Sequence, residues 1–269
     1  MRANVKRVFL ISLATVLLFA LVSCGGEETL PSVEEVVTNT VFALEELTTW
    51  RSDQSMNVDI DVSGPDGGRS TVSTSSKGTI DLGNRKVHVE KMETSMMKDD
   101  EETETRQTVY IIEDTVYMKS DTPTMEGRWM KQVLSDTDMA TVWETLVSAL
   151  SASKDMLEAI QFERISLADT HGVSCYLLEG SPDVEEWLRI LQEIGPIQVL
   201  PPGVSDMLRD VKVAYWVNKD TYNLVQFKMT ATISMVREGR KIKGDMNATS
   251  YYYDHGKEVS VELPPAARN

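Results

Sequence analysis

The sequence predicts an α+β fold: a large curved antiparallel sheet of about ten strands wrapped over about three helices. Three observations predict it. Met56, Val58, Ile60 and Val62 alternate with Asn57, Asp59 and Asp61, and Val225, Phe227, Met229, Ala231, Ile233 and Met235 alternate in the same way, the period of strands with one apolar face. Segments with helical period are few and grouped, so the order is helix, strands, helices, strands rather than repeated βαβ units. No internal repeat or low-complexity linker divides residues 32–269, which read as a single domain.

The chain has 269 residues and 42 Asp+Glu against 27 Lys+Arg, a formal charge of −15. At 26% charged residues it is no polytopic membrane protein, and at 41% apolar residues it is no disordered chain. The acidity argues against nucleic acid as a partner, because phosphate binding needs a basic surface.

The first 23 residues read as an address. Arg2, Lys6 and Arg7 precede an apolar run from Val8 to Val22, too short for a spanning helix, which needs about 20 residues. The run ends at Leu21-Val22-Ser23-Cys24, the pattern of a bacterial lipobox. The Cys24 thiol would take a diacylglycerol, cleavage would precede it, and acyl chains contributing about 0.8 kcal/mol per buried CH₂ would anchor the protein to a membrane outside the cytoplasm. An ordinary secretory signal ending by chance at a cysteine is the alternative. Loss of residues 1–23 leaves 24 Lys+Arg against 42 Asp+Glu, a charge of −18. With Cys24 acylated only Cys175 remains, so no intramolecular disulfide is expected.

Residues 24–31 form a short tether. Ser32-Val33-Glu34-Glu35 fits a capping box, and Val33, Val36, Val37, Val41, Leu44 and Leu47 follow at helical spacing. After the Met56–Val62 strand, Gly64-Pro65-Asp66-Gly67-Gly68 marks a turn. Two strands follow on either side of Gly83-Asn84. Lys98–Glu104 is a charge-dense loop, Thr108–Ile112 and Thr115–Lys119 a tight hairpin, and Gly127–Lys131 a short extended piece. Asp138 can cap a helix whose Met139, Val142, Trp143, Leu146, Val147 and Leu150 share one face, with a break expected at Ser151–Ser153. Phe162–Leu167 and Val173–Glu179 are strands, and Ser181-Pro182 opens a helix with Val184, Trp187, Leu188, Leu191 and Ile194 on its apolar face. Gly195-Pro196 ends it, and Pro201-Pro202-Gly203 is a loop. Val211, Val213, Tyr215 and Val217 alternate up to a turn at Asn218–Thr221. The chain turns again at Arg237–Arg240 after the Val225–Met235 strand, returns over Ile242–Tyr253, and alternates once more at Val259, Val261 and Leu263.

The catalytic inventory is nearly empty. His88, His171 and His255 stand far apart without ligand spacing, His88 on a solvent face and the other two before glycines in turns. There is no Gly-x-Ser-x-Gly, His-Glu-x-x-His, phosphate loop or zinc-type cysteine pair. Asp99–Glu104 lacks the spacing of a calcium loop. Asp59 and Asp61 read as the polar face of an amphipathic strand, and Cys175 as a buried, inert thiol. No enzyme, metal or cofactor is expected. Ten antiparallel strands with one apolar face must twist and curl, and the curl encloses either a filled core or an apolar cavity. Fourteen methionines, adaptable to variable ligands, suit such a cavity, and they equally suit the packing of an irregular filled core.

Several stretches together resemble the LolA-like lipoprotein fold, especially its LppX/LprG-type group. They are the capped helix ending at Leu47-Thr48-Thr49-Trp50, the strand Met56–Val62, Thr108-Val-Tyr-Ile-Ile-Glu-Asp-Thr-Val-Tyr-Met-Lys119, Gly127-Arg-Trp-Met-Lys131, Gly172-Val-Ser-Cys-Tyr176 and Val213-Ala-Tyr-Trp-Val-Asn-Lys-Asp-Thr221. The resemblance implies an incomplete β-barrel over helices, enclosing a cavity for lipid acyl chains, and a carrier role without catalysis. It supplies no site residue beyond Cys24.

The expectation is a membrane-anchored lipoprotein binding lipid or another hydrophobic molecule. Its cavity wall would be Met56, Val58, Ile60, Val62, Phe227, Met229 and Ile233 of the strands, covered by Trp143, Leu146, Leu150, Trp187 and Leu191 of the helices. The alternative is a non-catalytic interaction or envelope-stress sensor module with a closed core, whose acidic exterior steers basic protein partners.

Overall fold

A computed structural model describes residues 29–64, 67–96, 102–122, 125, 127–194, 204–237 and 239–268, with no account of the side chains at 149–152, 191–194, 204 and 237. Cys24, Pro65-Asp66, residues 98–101 of the charged loop, Gly195-Pro196, Pro201–Gly203 and the Leu150 and Leu191 side chains lie outside the described residues. Contacts divide the chain into Met1–Pro31 and Ser32–Asn269, and every element named here lies in the second unit.

Helix α1 (Val33–Glu45) is followed by strands β1 (Thr49–Val62), β2 (Gly68–Asp81), β3 (Lys86–Met96), β4 (Thr103–Ile112), β5 (Thr115–Ser120) and β6 (Trp129–Val133). Helix α2 (Asp136–Glu158) leads to β7 (Ile160–Thr170) and β8 (Val173–Pro182), then α3 (Val184–Ile194), the single turn α4 (Val204–Met207), and β9 (Leu208–Asn218), β10 (Leu224–Arg237) and β11 (Arg240–Tyr253).

The eleven strands of the described residues form one sheet in the order β6-β5-β4-β3-β2-β1-β11-β10-β9-β8-β7. It consists of two meanders joined where the first strand pairs antiparallel with the last, Arg51 opposite Tyr253 through Val62 opposite Ile242. β6 and β7 are its two edges and do not pair with each other, so the curved sheet stays open rather than closing into a barrel. Residue size sets the seam: a Cβ on Gly244 would run into the Asp59 carbonyl of β1, so only glycine fits there.

The main core lies under β7–β11. Val36 and Leu44 of α1, Leu157 near the end of α2 and Trp187 and Leu188 of α3 pack on Leu178, Val211, Val213, Tyr215, Val217, Met229 and Ala231. The alternation of β9 explains its side: Val211, Val213, Tyr215 and Val217 are all buried and their neighbours less so. At the far end of the sheet, Val87, Tyr110 and Met139 are buried outside that cluster. Buried Asp81 is satisfied by the turn it builds, accepting from the Asn84 backbone N at 2.9 Å and Nδ2 at 2.8 Å.

The structure places several local features differently from the sequence reading. Ser32 caps α1 as expected, its Oγ accepting from the Glu35 backbone N at 3.1 Å. The second helix is capped by Ser135 rather than Asp138: Ser135 Oγ accepts from Asp138 N at 3.2 Å and donates to Asp138 Oδ2 at 2.7 Å, a closed pair in which Asp138 is the third helical residue. That helix shows no break at Ser151–Ser153, because serines at a small cost in helix propensity do not interrupt a helix held at both ends by packing. Pro182 ends β8 instead of opening α3, and Asp183 caps α3 through the backbone N of Glu185 and Glu186. Val259 and Val261 are buried in extended chain without strand pairing.

Candidate functional site

Strand register turns the alternation of each segment into rows that cross the sheet. The face bearing the core can be followed from β10 through β11 to β1. Met229, Ala248 and Met56 lie on one line, Ala231, Met246 and Val58 on the next, and Ile233, Gly244 and Ile60 on the third. A fourth line joins Met235, Ile242 and Val62, and Val72 of β2 lies beside Val58. Along the first line exposure rises from 5% at Met229 to 37% at Met56. Ala231 and Ile233 are buried, whereas Met246, Val58, Ile60 and Val62 are half-buried. Cover over this face therefore thins between β10 and β1, leaving an apolar patch part-open at the ends of β1 and β11.

A polar row bounds that patch. Ser250, Gln54, Ser76, Lys91, Gln107 and Ser120 occupy one register line on the same face. Ser76 Oγ donates to Gln54 Oε1 at 3.4 Å, Lys91 Nζ pairs with Glu93 at 2.9 Å, and Gln107 Nε2 donates to Met118 Sδ at 3.1 Å. Beyond it the face is apolar again, with Val89, Val109 and Met118 in register next to Gly78. The result is two apolar bands separated by a hydrogen-bonding band.

The predicted wall residues fall into separate places. Met56, Val58, Ile60 and Val62 share the part-open patch, and Ile233 borders it. Phe227, Met229 and Trp187 belong to the filled core, Phe227 against the Tyr215 ring at 4.9 Å. Trp143 and Leu146 are half-buried on α2, with Trp143 in a groove of about 830 Å³ between that helix and the β2–β3 and β4–β5 turns. The indole Nε1 atoms of Trp143 and Trp187 are both buried without an acceptor. Sequence reasoning missed Val72 and Ile242 as members of the patch, and Met246, which joins it where it meets the core. Val72 stands alone in a serine- and threonine-rich strand, and Gly244 and Ala248 blur the alternation of β11.

A second crevice, of about 590 Å³, lies between α1 and the end of α2, lined by Val37, Val41, Leu157 and Phe162, with Phe42 59% exposed at its rim. Lys154 Nζ bridges to Glu45 Oε1 at 3.2 Å across it, which raises the lysine pKa. On the opposite, polar face of the sheet a groove of about 760 Å³ runs over Asp53, Lys77, Glu90, Arg106 and Tyr251. The β7–β8 turn reaches it: Thr170 Oγ1 donates to Gln226 Oε1 at 2.5 Å and the His171 ring meets Tyr251 at 3.9 Å.

The titratable groups singled out in the sequence are held structurally. His88 is not solvent-facing: it stacks on Tyr110 at 4.2 Å with its side chain 23% exposed, because β4 brings a ring beside it, and burial lowers its pKa. His255 is lowered by burial too, against a hydrogen bond to the Leu224 backbone. Asp59 accepts from Thr71 Oγ1 at 2.6 Å and Arg69 Nη2 at 3.1 Å, which lowers its pKa and ties it to the sheet's polar face. Cys175 is fully buried, and burial pushes its thiol up to about 11. Among the described residues no cluster of His, Cys, Asp and Glu has the geometry of a metal site, and no helix is long and apolar enough to cross a membrane.

The sequence matches, over residues 32–166 and 205–269, the family described as "Family of unknown function (DUF6612)". No curated protein matches it. Its structural neighbours include a DUF1329 family protein from Desulfovibrio piger (12% identity, 86% of this chain and 95% of that chain, TM-score 0.24). They also include a LolA superfamily protein from Nitrosomonas europaea (13%, 87% and 96%, TM-score 0.23) and an outer membrane lipoprotein-sorting protein domain from Vibrio parahaemolyticus (9%, 84% and 92%, TM-score 0.23).

Proposed function

The chain belongs to the DUF6612 family, a family of unknown function, and from that premise and the geometry above we propose that it is an envelope lipoprotein that binds the alkyl part of a lipid or another hydrophobic molecule, without catalysis. Acylated Cys24 would anchor it outside the cytoplasm. The ligand would lie on the apolar patch of β1 and β11.

The observation that carries this reading is the loss of cover along the register lines from β10 to β1, where the same apolar face passes from 5% exposed at Met229 to 37% at Met56. Exposed apolar rows of this kind are costly unless a partner covers them. Each CH₂ a ligand buries there contributes about 0.8 kcal/mol, so a ten-carbon chain contributes roughly 8 kcal/mol before the loss of its freedom is charged against it. The polar row through Gln54, Ser76 and Lys91 is positioned to hold a headgroup at the patch's boundary.

The test uses the full chain carrying Cys24→Ser, which keeps covalent anchor lipids out of the count. Native mass spectrometry and organic extraction after expression in a bacterial host are expected to show lipid in about one-to-one amount. The variants Ile60→Trp and Val58→Trp, which fill the patch, are expected to lose most of it. A ligand-free mass that persists after incubation with phospholipid, or undiminished occupancy in both variants, refutes the reading.

A further inference from the structure

Helix α2 carries a feature that the lipid reading does not use. The groove of about 830 Å³ between its first half and two β-turns has an apolar floor and acidic walls. Met139, 4% exposed, and half-buried Trp143 form the floor, and Val147, 54% exposed, continues it toward solvent. Glu113, Asp114, Asp136 and Glu144 line the walls, and none of them forms an ion pair among the described residues. Among the described residues Arg85 is the one cation in the lining and forms no ion pair with any of them.

The walls are fixed by the backbone. The Glu113 N–H donates to the Arg85 carbonyl at 3.1 Å, joining the two turns, and the Leu134 N–H donates to the Asp114 carbonyl at 2.9 Å, tying them to the start of α2. Glu113 and Asp114 of one turn thereby line the groove together with Asp136 at the start of the helix, and Asp114 Oδ1 accepts from Thr115 Oγ1 at 2.8 Å. Glu144 stands eight residues further along the helix, about 12 Å away at 1.5 Å per residue. That separation exceeds the reach of one cation, since unlike charges must approach within about 4–6 Å to act strongly. Two positive groups with apolar matter between them satisfy both the walls and the floor.

We propose that this groove is a docking site for a basic amphipathic peptide segment of another protein, with two cationic side chains roughly 12 Å apart and an apolar side chain between them. In an extended peptide at about 3.3 Å per residue that spacing is lysine at positions one and five, with leucine at three. The chain's overall charge of −15 steers such a partner in, and the wall carboxylates, none of them in an ion pair among the described residues, give the encounter its register.

The probe is a dye-labelled peptide with the sequence Lys-Ala-Leu-Ala-Lys repeated twice, titrated by fluorescence anisotropy against the full chain in nonionic detergent. The expected result is saturable binding that weakens at least tenfold in Asp136→Asn/Glu144→Gln, falls severalfold in Val147→Ser, and survives in Asp61→Asn/Asp245→Asn, which removes two charges from the sheet's polar face. Circular dichroism confirms that each variant stays folded. Equal affinity in both double variants, or for a peptide with glycine in place of leucine, reduces the effect to general attraction to an acidic protein and overturns the proposal. Displacement by spermidine at matched charge overturns it as well, because that polycation lacks the apolar group.

Discussion

The division between a filled core under β7–β11 and a part-open patch on β1 and β11 makes a quantitative prediction. Leu178 is 0% exposed in β8, on the register line of Tyr215 and Ile165, and packs in the core with the helices. Truncation to alanine removes three carbons at about 0.8 kcal/mol each and leaves a cavity that this packed site cannot collapse. Leu178→Ala is therefore expected to cost about 4 kcal/mol, within the 2–5 kcal/mol range of buried leucines. For a unit of this size each kcal/mol lowers Tm by about 2–4 °C, giving a drop of roughly 8–16 °C. Ile60 sits on the same face but is half-buried, opposite Gly244, which offers no side chain to pack on. Ile60→Ala is expected to cost less than about 1.5 kcal/mol in the ligand-free protein, because much of its transfer term is already forfeited to water and no closed cavity forms. Urea denaturation of lipid-stripped protein, followed by tryptophan fluorescence and circular dichroism together, measures both. Equal costs for the two substitutions would mean that the patch is a closed core, and the argument for a ligand there would fail. A further result follows from linkage: added lipid should raise the urea midpoint of the wild type and leave that of Ile60→Trp unchanged.

Two other outcomes follow. His88 and His255 have folded-state pKa values below the unfolded value of about 6.5, so the unfolded chain binds more protons on acidification. Their contribution is fully present above about pH 6.5 and is lost as pH falls through the folded values; urea midpoints should be flat from pH 8 to 7 and decline toward pH 5, and His88→Gln should shallow that decline. Cys175, buried and with its thiol pushed up to about 11, should resist a thiol-reactive disulfide reagent at pH 8 in the native state and react at once in urea; rapid native labelling would contradict the placement of β8.

Much of this architecture was legible in local pattern. Alternation located the long strands because one buried face imposes a period of two, which β9 follows from Val211 to Val217 and β10 from Met229 to Ile233, while bulges interrupt it at Leu224–Gln226 and Thr230–Thr232. Ser32 and the valines after it located α1, since capping and helical period act within a few residues. The misplaced features are those where competing local signals coexist. Ser135 and Asp138 both suit a helix start, and only the reciprocal bond between them makes Ser135 the cap. Pro182 suits a helix start and a strand end alike. His88 alternates like a surface residue, yet a ring from β4 covers it.

The site was legible only in part. Met56, Val58, Ile60 and Val62 share a face because they share a strand, and that follows from sequence alone. Their company does not: Ile242 and Met246 join them through the pairing of the first strand with the last, about 190 residues apart in the chain, and no local signal encodes that register. The same holds for the acidic groove, whose carboxylates come from two turns and a helix. The sequence by itself determined the acidic composition, the Leu21-Val22-Ser23-Cys24 pattern, the amphipathic strands and the scarcity of catalytic motifs, because each depends on residue type or on spacing within one element. The tertiary structure alone decided which apolar faces the helices cover, that Trp187, Phe227 and Met229 fill a core, and that β1 and β11 keep theirs part-open. Burial depends on what packs against a face, and that partner is chosen by long-range pairing rather than by the face itself.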